Sequence, residues 1–195
     1  MSITDKEKLI AFIQLRIKNL PLSRAIIEFM ESDRGHYFWS VPASSSGKYH
    51  PSYALGDGGL VRHTLAALLI AEDLLEISTI KSDYERDIIF AALALHDFYK
   101  QGLPPNNSKT IFEHPLVAAE EWEKHMANSK HVSEDIVITI ANCIRSHMGQ
   151  WNTSKYSKTV LPLPSTKLQK FVHACDYLAS RKRIEVNMDF ESIIT

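Results

Sequence analysis

Thiols are scarce: only Cys143 and Cys175 carry one, and each falls in an apolar helical pattern. Two such residues make neither a disulfide framework nor a thiolate cage for structural zinc, and are expected as buried free thiols in a reducing compartment. An excess of either charge is also lacking, with 22 Lys and Arg against 23 Asp and Glu and a formal net charge of -1. That excludes a global basic field for gripping nucleic acid, while leaving room for a local basic patch. No apolar run approaches the roughly 20 residues of a membrane span. The start, Met1-Ser-Ile-Thr-Asp-Lys-Glu-Lys8, mixes acids with bases and does not fit a signal peptide. The expected location is therefore cytoplasmic, with no membrane partner. Strand-like alternation and internal repeats are missing, and the one low-complexity tract is Ser44-Ser45-Ser46.

What remains is a series of helical patterns within 195 residues, of which 45% are apolar. Leu9, Ile13, Ile17 and Leu20 recur at helical spacing. Pro21 interrupts them, and Ser23 is expected to cap a second short helix carrying Ile26, Phe29 and Met30. From Asp33 to Gly59 the pattern collapses into turn residues, yet the stretch carries Tyr37, Phe38, Trp39, Tyr49 and Tyr53. A loop this long is commonly functional or disordered, and its aromatics predict order. Helical spacing returns over residues 60–77, from Asp83 to about Phe98, from about Pro115 to Asn128, after Ser133 as a cap, and from Ser165 to about Arg183. The expectation is one all-α domain: N-terminal helices over 1–32, an aromatic loop over 33–59, a helical core over 60–183 and a tail over 184–195.

Polar residues interrupt these apolar faces. Asp176 has Val172, His173 and Ala179 at helical spacing, so its carboxylate faces inward, where charge is costly unless something positive meets it. A structural salt bridge to an arginine is one solution. His147 follows Ile144, Cys143 and Ile136 on one face and could be an ordinary core histidine. His63 has Ala66, Ala67 and Ile70 beside it, small neighbours that leave room for a bulky centre. His96-Asp97 ends the buried run from Ile88, and since adjacent helical residues point about 100° apart, both reach one ion only at their shared edge. His114 opens a helix. Imidazole and carboxylate donors on separate helices suit a divalent ion of Mn, Fe, Co, Ni or Zn.

The same residues carry a resemblance. Gly59-Leu-Val-Arg-His63-Thr resembles the Gly-Leu-x-x-His-Thr that opens the HD-domain metal-dependent phosphohydrolases. Leu95-His-Asp-Phe-Tyr-Lys100 is similar to their His-Asp-x-Gly-Lys. Ser146-His-Met-Gly-Gln-Trp151 and His173-Ala-Cys-Asp176-Tyr-Leu-Ala-Ser-Arg-Lys182 resemble one branch, which includes bacterial HD-type 3′-to-5′ exoribonucleases. The resemblance spans roughly 44–183. It implies an HD-domain helical bundle in which His63, His96, Asp97 and Asp176 hold a first ion, with His114 and His147 at the places of a second and Asp97 bridging. Two departures stand out: Phe98-Tyr99 replaces the usual small residue before Lys100, and Met148 replaces a second histidine after His147.

The function so implied is hydrolysis of a phosphoester in a nucleotide or related small phosphate ester by metal-activated water. Asp97 would orient that water and take its proton, and Lys100 would neutralise phosphate charge. Lys48, His50, Trp151, Arg181 and Lys182 are candidate substrate contacts. Arg62 is a further candidate, as is a solvated surface position for it. Trp39, Tyr49, His50 and Trp151 could stack on a base or cap the core, and the Tyr37–Tyr53 loop could form a lid. The alternatives are a 3′-5′ exonuclease on single-stranded nucleic acid, disfavoured by the balanced charge, a catalytically silent nucleotide-binding protein, and a purely structural bundle.

Overall fold

The computed structural model describes residues 3–44, 47–106, 109–184 and 186. Ser45, Ser46 and almost all of the expected 184–195 tail lie outside them. The described residues form seven α-helices and no strand: α1 (Asp5–Arg16), α2 (Leu20–Glu31), α3 (Gly59–Ile77), α4 (Asp83–Leu95), α5 (His114–Met126), α6 (Glu134–Ser146) and α7 (Lys167–Ala179). The all-α expectation holds.

Local chemistry sets most helix starts. Thr4 and Glu7 form a reciprocal capping box on α1, and Thr166 with Gln169 does the same for α7, so α7 starts at Lys167 and its cap is Thr166. Ser82 caps α4. Two expected caps differ. Asn19 caps α2 by accepting from the Leu22 N–H, with Pro21 inside the first turn, where its missing N–H costs nothing. Ser23 is already helical, and its hydroxyl donates to Ile13 O at 3.3 Å. Ser133 occupies the cap position of α6, but its side chain makes no capping bond.

α4 is the centre of the bundle. Every residue from Ile88 to Leu95 is buried, as expected for a helix that is apolar all round. It packs against α1, α2, α3, α6 and α7. The N-terminal helices are fastened to it by Asp87, whose two carboxylate oxygens accept from the Lys18 and Asn19 N–H groups at 2.8 Å each. α5 and α6 pair closely, and α7 closes the bundle against α3.

The 33–59 stretch is ordered where described. It contains two 3₁₀ segments, Asp33–Trp39 and Ser52–Ala54. Tyr37 OH accepts from Gln101 N (3.0 Å) and donates to Gly102 O (3.1 Å), which fixes the first segment to the turn after α4. Tyr53 OH donates to Ala179 O at 2.9 Å, which fixes the second to the end of α7. Arg62 is neither a phosphate ligand nor a solvated cation. It donates to the carbonyls of Tyr53 (2.5 Å), Leu55 (2.9 Å) and Asp57 (2.8 Å) and pairs with Asp5 at 2.9 Å. Gly59 is required here because a Cβ would lie 2.4 Å from Ala54 O.

Candidate metal centre

α4 ends at Leu95, three residues earlier than its periodicity suggests, and this places the first two polar groups. His96 and Asp97 stand at the helix exit, where bonds from Phe98 N to Leu95 O (3.1 Å) and from Lys100 N to Asp97 O (3.0 Å) tighten the chain. The bulky Phe98 and Tyr99 turn into the core. Phe98 packs on Phe29 and Phe38 and lies so close to Gly35 that a Cβ there would be 2.1 Å from its ring. Lys100 thereby reaches the polar side, where its ammonium pairs with Asp97 Oδ2.

His63 comes from the first turns of α3, His114 opens α5, His147 caps the C-terminus of α6, and Asp176 lies on α7. Their polar atoms converge. Asp176 Oδ1 is 3.0 Å from His63 Nε2 and 3.5 Å from His96 Nε2. Asp97 Oδ2 is 3.4 Å from His96 Nε2 and 3.7 Å from His63 Nε2. Its other oxygen, Oδ1, is 3.0 Å from His114 Nε2 and 3.7 Å from His147 Nε2. Donors held about 2.1 Å from one ion stand about 3.0–3.5 Å apart in octahedral or tetrahedral arrangements, so these separations match shared coordination. Three overlapping triads each bring their donor atoms within 4.8 Å of one another: His63–His96–Asp97, His96–His147–Asp176 and Asp97–His114–His147.

The donors are also oriented for an ion. Nδ1 of His96, His114 and His147 lies 2.7, 2.7 and 2.8 Å from the carbonyl oxygens of Leu93, Ile111 and Ile144. Each carbonyl accepts the Nδ1 proton, which leaves the Nε2 lone pair facing the centre. His96 Nε2 and Asp97 Oδ1, both buried, have no hydrogen-bond partner, and such orphaned polar atoms are costly unless something else satisfies them. All six residues fit a divalent cation, or two with Asp97 between them.

Without an ion the charges of the cluster are strongly interdependent, and a proton on His96 Nε2 takes the place that its lone pair would offer a metal. Burial works against ionisation of Asp97, but Lys100 and His96 outweigh it and hold the carboxyl well below its usual range. Burial likewise opposes Asp176, and His63 and His96 hold it low. His96 is held protonated up to about 10, its burial overcome by Asp97 and Asp176. His147 falls to about 3 through burial and the charge of His96, and His50 to about 3 through burial and the neighbouring His63 and Lys100. Clustered shifts of this size mark functional sites more often than structural ones.

Residues 60–181 match the family described as HD domain. The chain belongs to the HD-domain family. Members of this family are generally metal-dependent hydrolases, and the buried His/Asp cluster lies inside the matched stretch. The matched region begins with α3, so α1, α2 and the aromatic loop precede the HD core. Neither the curated proteins nor the solved structures contain a match to the chain.

The HD centre opens into a chamber of about 170 Å³ lined by His50, Lys100, Thr110, Met148, Trp151, Tyr177, Ser180 and Arg181 as well as Asp97, His114, His147 and Asp176 of the cluster. Of the expected substrate contacts, His50, Trp151 and Arg181 reach it. Lys48 and Lys182 do not; they line an adjoining cavity together with Tyr49. Trp39 is not at the site, since it packs on Phe38 under Lys6. His173 has a supporting role: its Nδ1–H donates to His147 O (2.7 Å) and its Nε2 lies 3.1 Å from Gln150 Oε1, joining α7 to the turn after His147. Sequence reasoning missed Thr110, which lies outside any motif. Tyr177 and Ser180 stand on one side of Asp176 at offsets of one and four, a signal that could have included them.

Proposed function

We propose that this HD-domain protein hydrolyses a phosphoester bond in a nucleotide or related small phosphate ester, using water activated at the His63, His96, Asp97, His114, His147 and Asp176 cluster. One observation carries this reading: the two oxygens of the buried Asp97 face two different sets of imidazole lone pairs. A divalent ion bound there supplies Lewis acidity toward water and a phosphoryl oxygen, and can bring the pKa of its water to about 7. The N/O donor set suits Mn, Fe, Co, Ni or Zn.

The chain's own residues supply the rest. Asp97 orients the water and is the carboxylate placed to accept its proton. Lys100, three residues on, balances the charge that develops on the phosphoryl oxygens, and Arg181, which also lines the chamber, does the same with a planar donor fork. His50 stays neutral beside His63 and offers a donor or acceptor without adding charge. Trp151, stacked on Tyr177 with centroids 5.5 Å apart and planes at 19°, forms a flat wall for a sugar or base.

The test is to purify the full chain, strip it with a chelator, reload it with Mn, Co, Ni, Zn or Mg, and assay phosphate release. Substrates would be nucleoside mono- and triphosphates, cyclic dinucleotides and short RNA. Metal-dependent turnover in wild type, reduced at least about a thousandfold in His96→Ala and Asp97→Ala, is expected for loss of such ligands. Equal rates in all three proteins would overturn the proposal.

A further inference from the structure

The chamber over the HD centre, at about 170 Å³, falls below the roughly 300–1,000 Å³ of small-molecule sites. A substrate of nucleotide size is therefore expected to extend into an adjoining space. The cavity lined by Lys48, Tyr49, Tyr177, Arg181, Lys182, Arg183 and Ile184 offers about 520 Å³, within the range of ligand sites. It shares Tyr177 and Arg181 with the metal chamber, so the two spaces adjoin at one pair of side chains.

Its chemistry is one-sided. Lys48, Arg181, Lys182 and Arg183 line it, and no carboxylate does among the described residues. For a chain with a net charge of -1 this is a pronounced local excess. The wall is also built. The Arg181 guanidinium lies 4.4 Å over the Tyr177 ring and donates to Ser180 Oγ, which leaves it flat and preoriented. The Lys182 N–H donates to Tyr49 O at 3.2 Å, tying the Lys48–Tyr49 segment to the end of α7. Two segments far apart in sequence are therefore fixed with their cations around one space.

We infer that this cavity binds a second phosphate, so that the substrate is a polyanion carrying at least one phosphate beyond the one attacked. The inference rests on the proposed hydrolysis for its biological meaning, but the anion site can be tested without turnover. Inorganic tripolyphosphate is titrated calorimetrically into chelator-treated full-length protein, wild type against a Lys182→Ala/Arg183→Ala double variant. Wild type binds, and the variant binds at least tenfold more weakly, while Lys182→Arg/Arg183→Lys restores binding and circular dichroism shows all three folded. Absence of binding in wild type, or equal binding in the alanine variant, overturns the inference.

A second arm uses the metal-loaded protein. The alanine variant raises KM for a nucleoside triphosphate or a short single-stranded oligonucleotide by at least tenfold more than for p-nitrophenyl phosphate, which has a single phosphate. Whichever of the two polyanions shows the larger rise identifies the source of the second phosphate. Equal effects on all three substrates overturn the inference. Lack of turnover with every substrate would sink the hydrolase proposal and leave the binding result to stand alone.

Discussion

His114 Nε2 lies 3.0 Å from Asp97 Oδ1, while Oδ2 of the same carboxylate faces His63 and His96. One buried aspartate thus divides the six candidate ligands into two groups, and this division leads to the first prediction. His114→Ala with His147→Ala removes the ligands on the Oδ1 side only. Wild type should bind two ions per chain and the double variant one, as read by mass spectrometry after equilibrium dialysis. Turnover should fall by about a hundredfold or more, since the second ion shares the charge on the reacting groups. One ion in both proteins would show a single-ion site, and two in both would place the second ion away from His114 and His147.

Lys100 occupies the position where a cation would meet Asp97 Oδ2. Its ammonium competes with a divalent ion for that oxygen, yet it faces the chamber where phosphate charge is to be balanced. Lys100→Met should therefore bind metal at least as tightly as wild type and turn over at least about a hundredfold more slowly, a loss of about 3 kcal/mol of transition-state stabilisation. Metal affinity from a competitive chromophoric chelator and kcat from phosphate release separate the two effects. Weaker metal binding would make Lys100 a support of the ligand set instead.

The Arg62 clamp holds the 53–57 turn with three carbonyl contacts and reaches Asp5 on α1. Its side chain is largely buried, so removal leaves acceptors without donors. Arg62→Ala should lose about 2–4 kcal/mol in urea unfolding, and Arg62→Lys should recover only part, because an ammonium cannot span the same carbonyls. A loss under 1 kcal/mol would show that solvent replaces the clamp.

Burial pushes the Tyr53 phenol up to about 12, and its hydroxyl donates to Ala179 O. The folded pKa lies above the unfolded value near 10. Its contribution is therefore fully present below pH 10 and is lost as pH rises from about 10 to about 12. Tyr53→Phe removes one hydrogen bond, about 1 kcal/mol, between pH 7 and 9. The gap between variant and wild type should shrink above pH 10, as followed by chemical denaturation at each pH. A constant gap would contradict a buried, donating phenol.

The legibility of the site in the sequence follows from where each residue stands. His147 and Asp176 lie on amphipathic faces, and the periodicity of those faces is enough to turn them inward. Arg62 also lies on a helix, but its partners come from a loop and from α1, so spacing carried no sign of its clamp. The same limit applies to Trp39 and Trp151: both are aromatics beside turn residues, and only one of them reaches the chamber.

Local periodicity, caps and turn residues were sufficient to determine an all-α chain, the approximate helices, and a set of imidazoles and carboxylates pointing inward, because side-chain direction along a helix depends on neighbours within one or two turns. The tertiary structure alone decided that α4 stops at Leu95, which oxygen of Asp97 faces which histidine, and that Lys48 and Lys182 share a cavity beside the metal chamber and not the chamber itself. Those outcomes depend on packing between segments up to 134 positions apart (Lys48 and Lys182), and no local pattern encodes the distance between them.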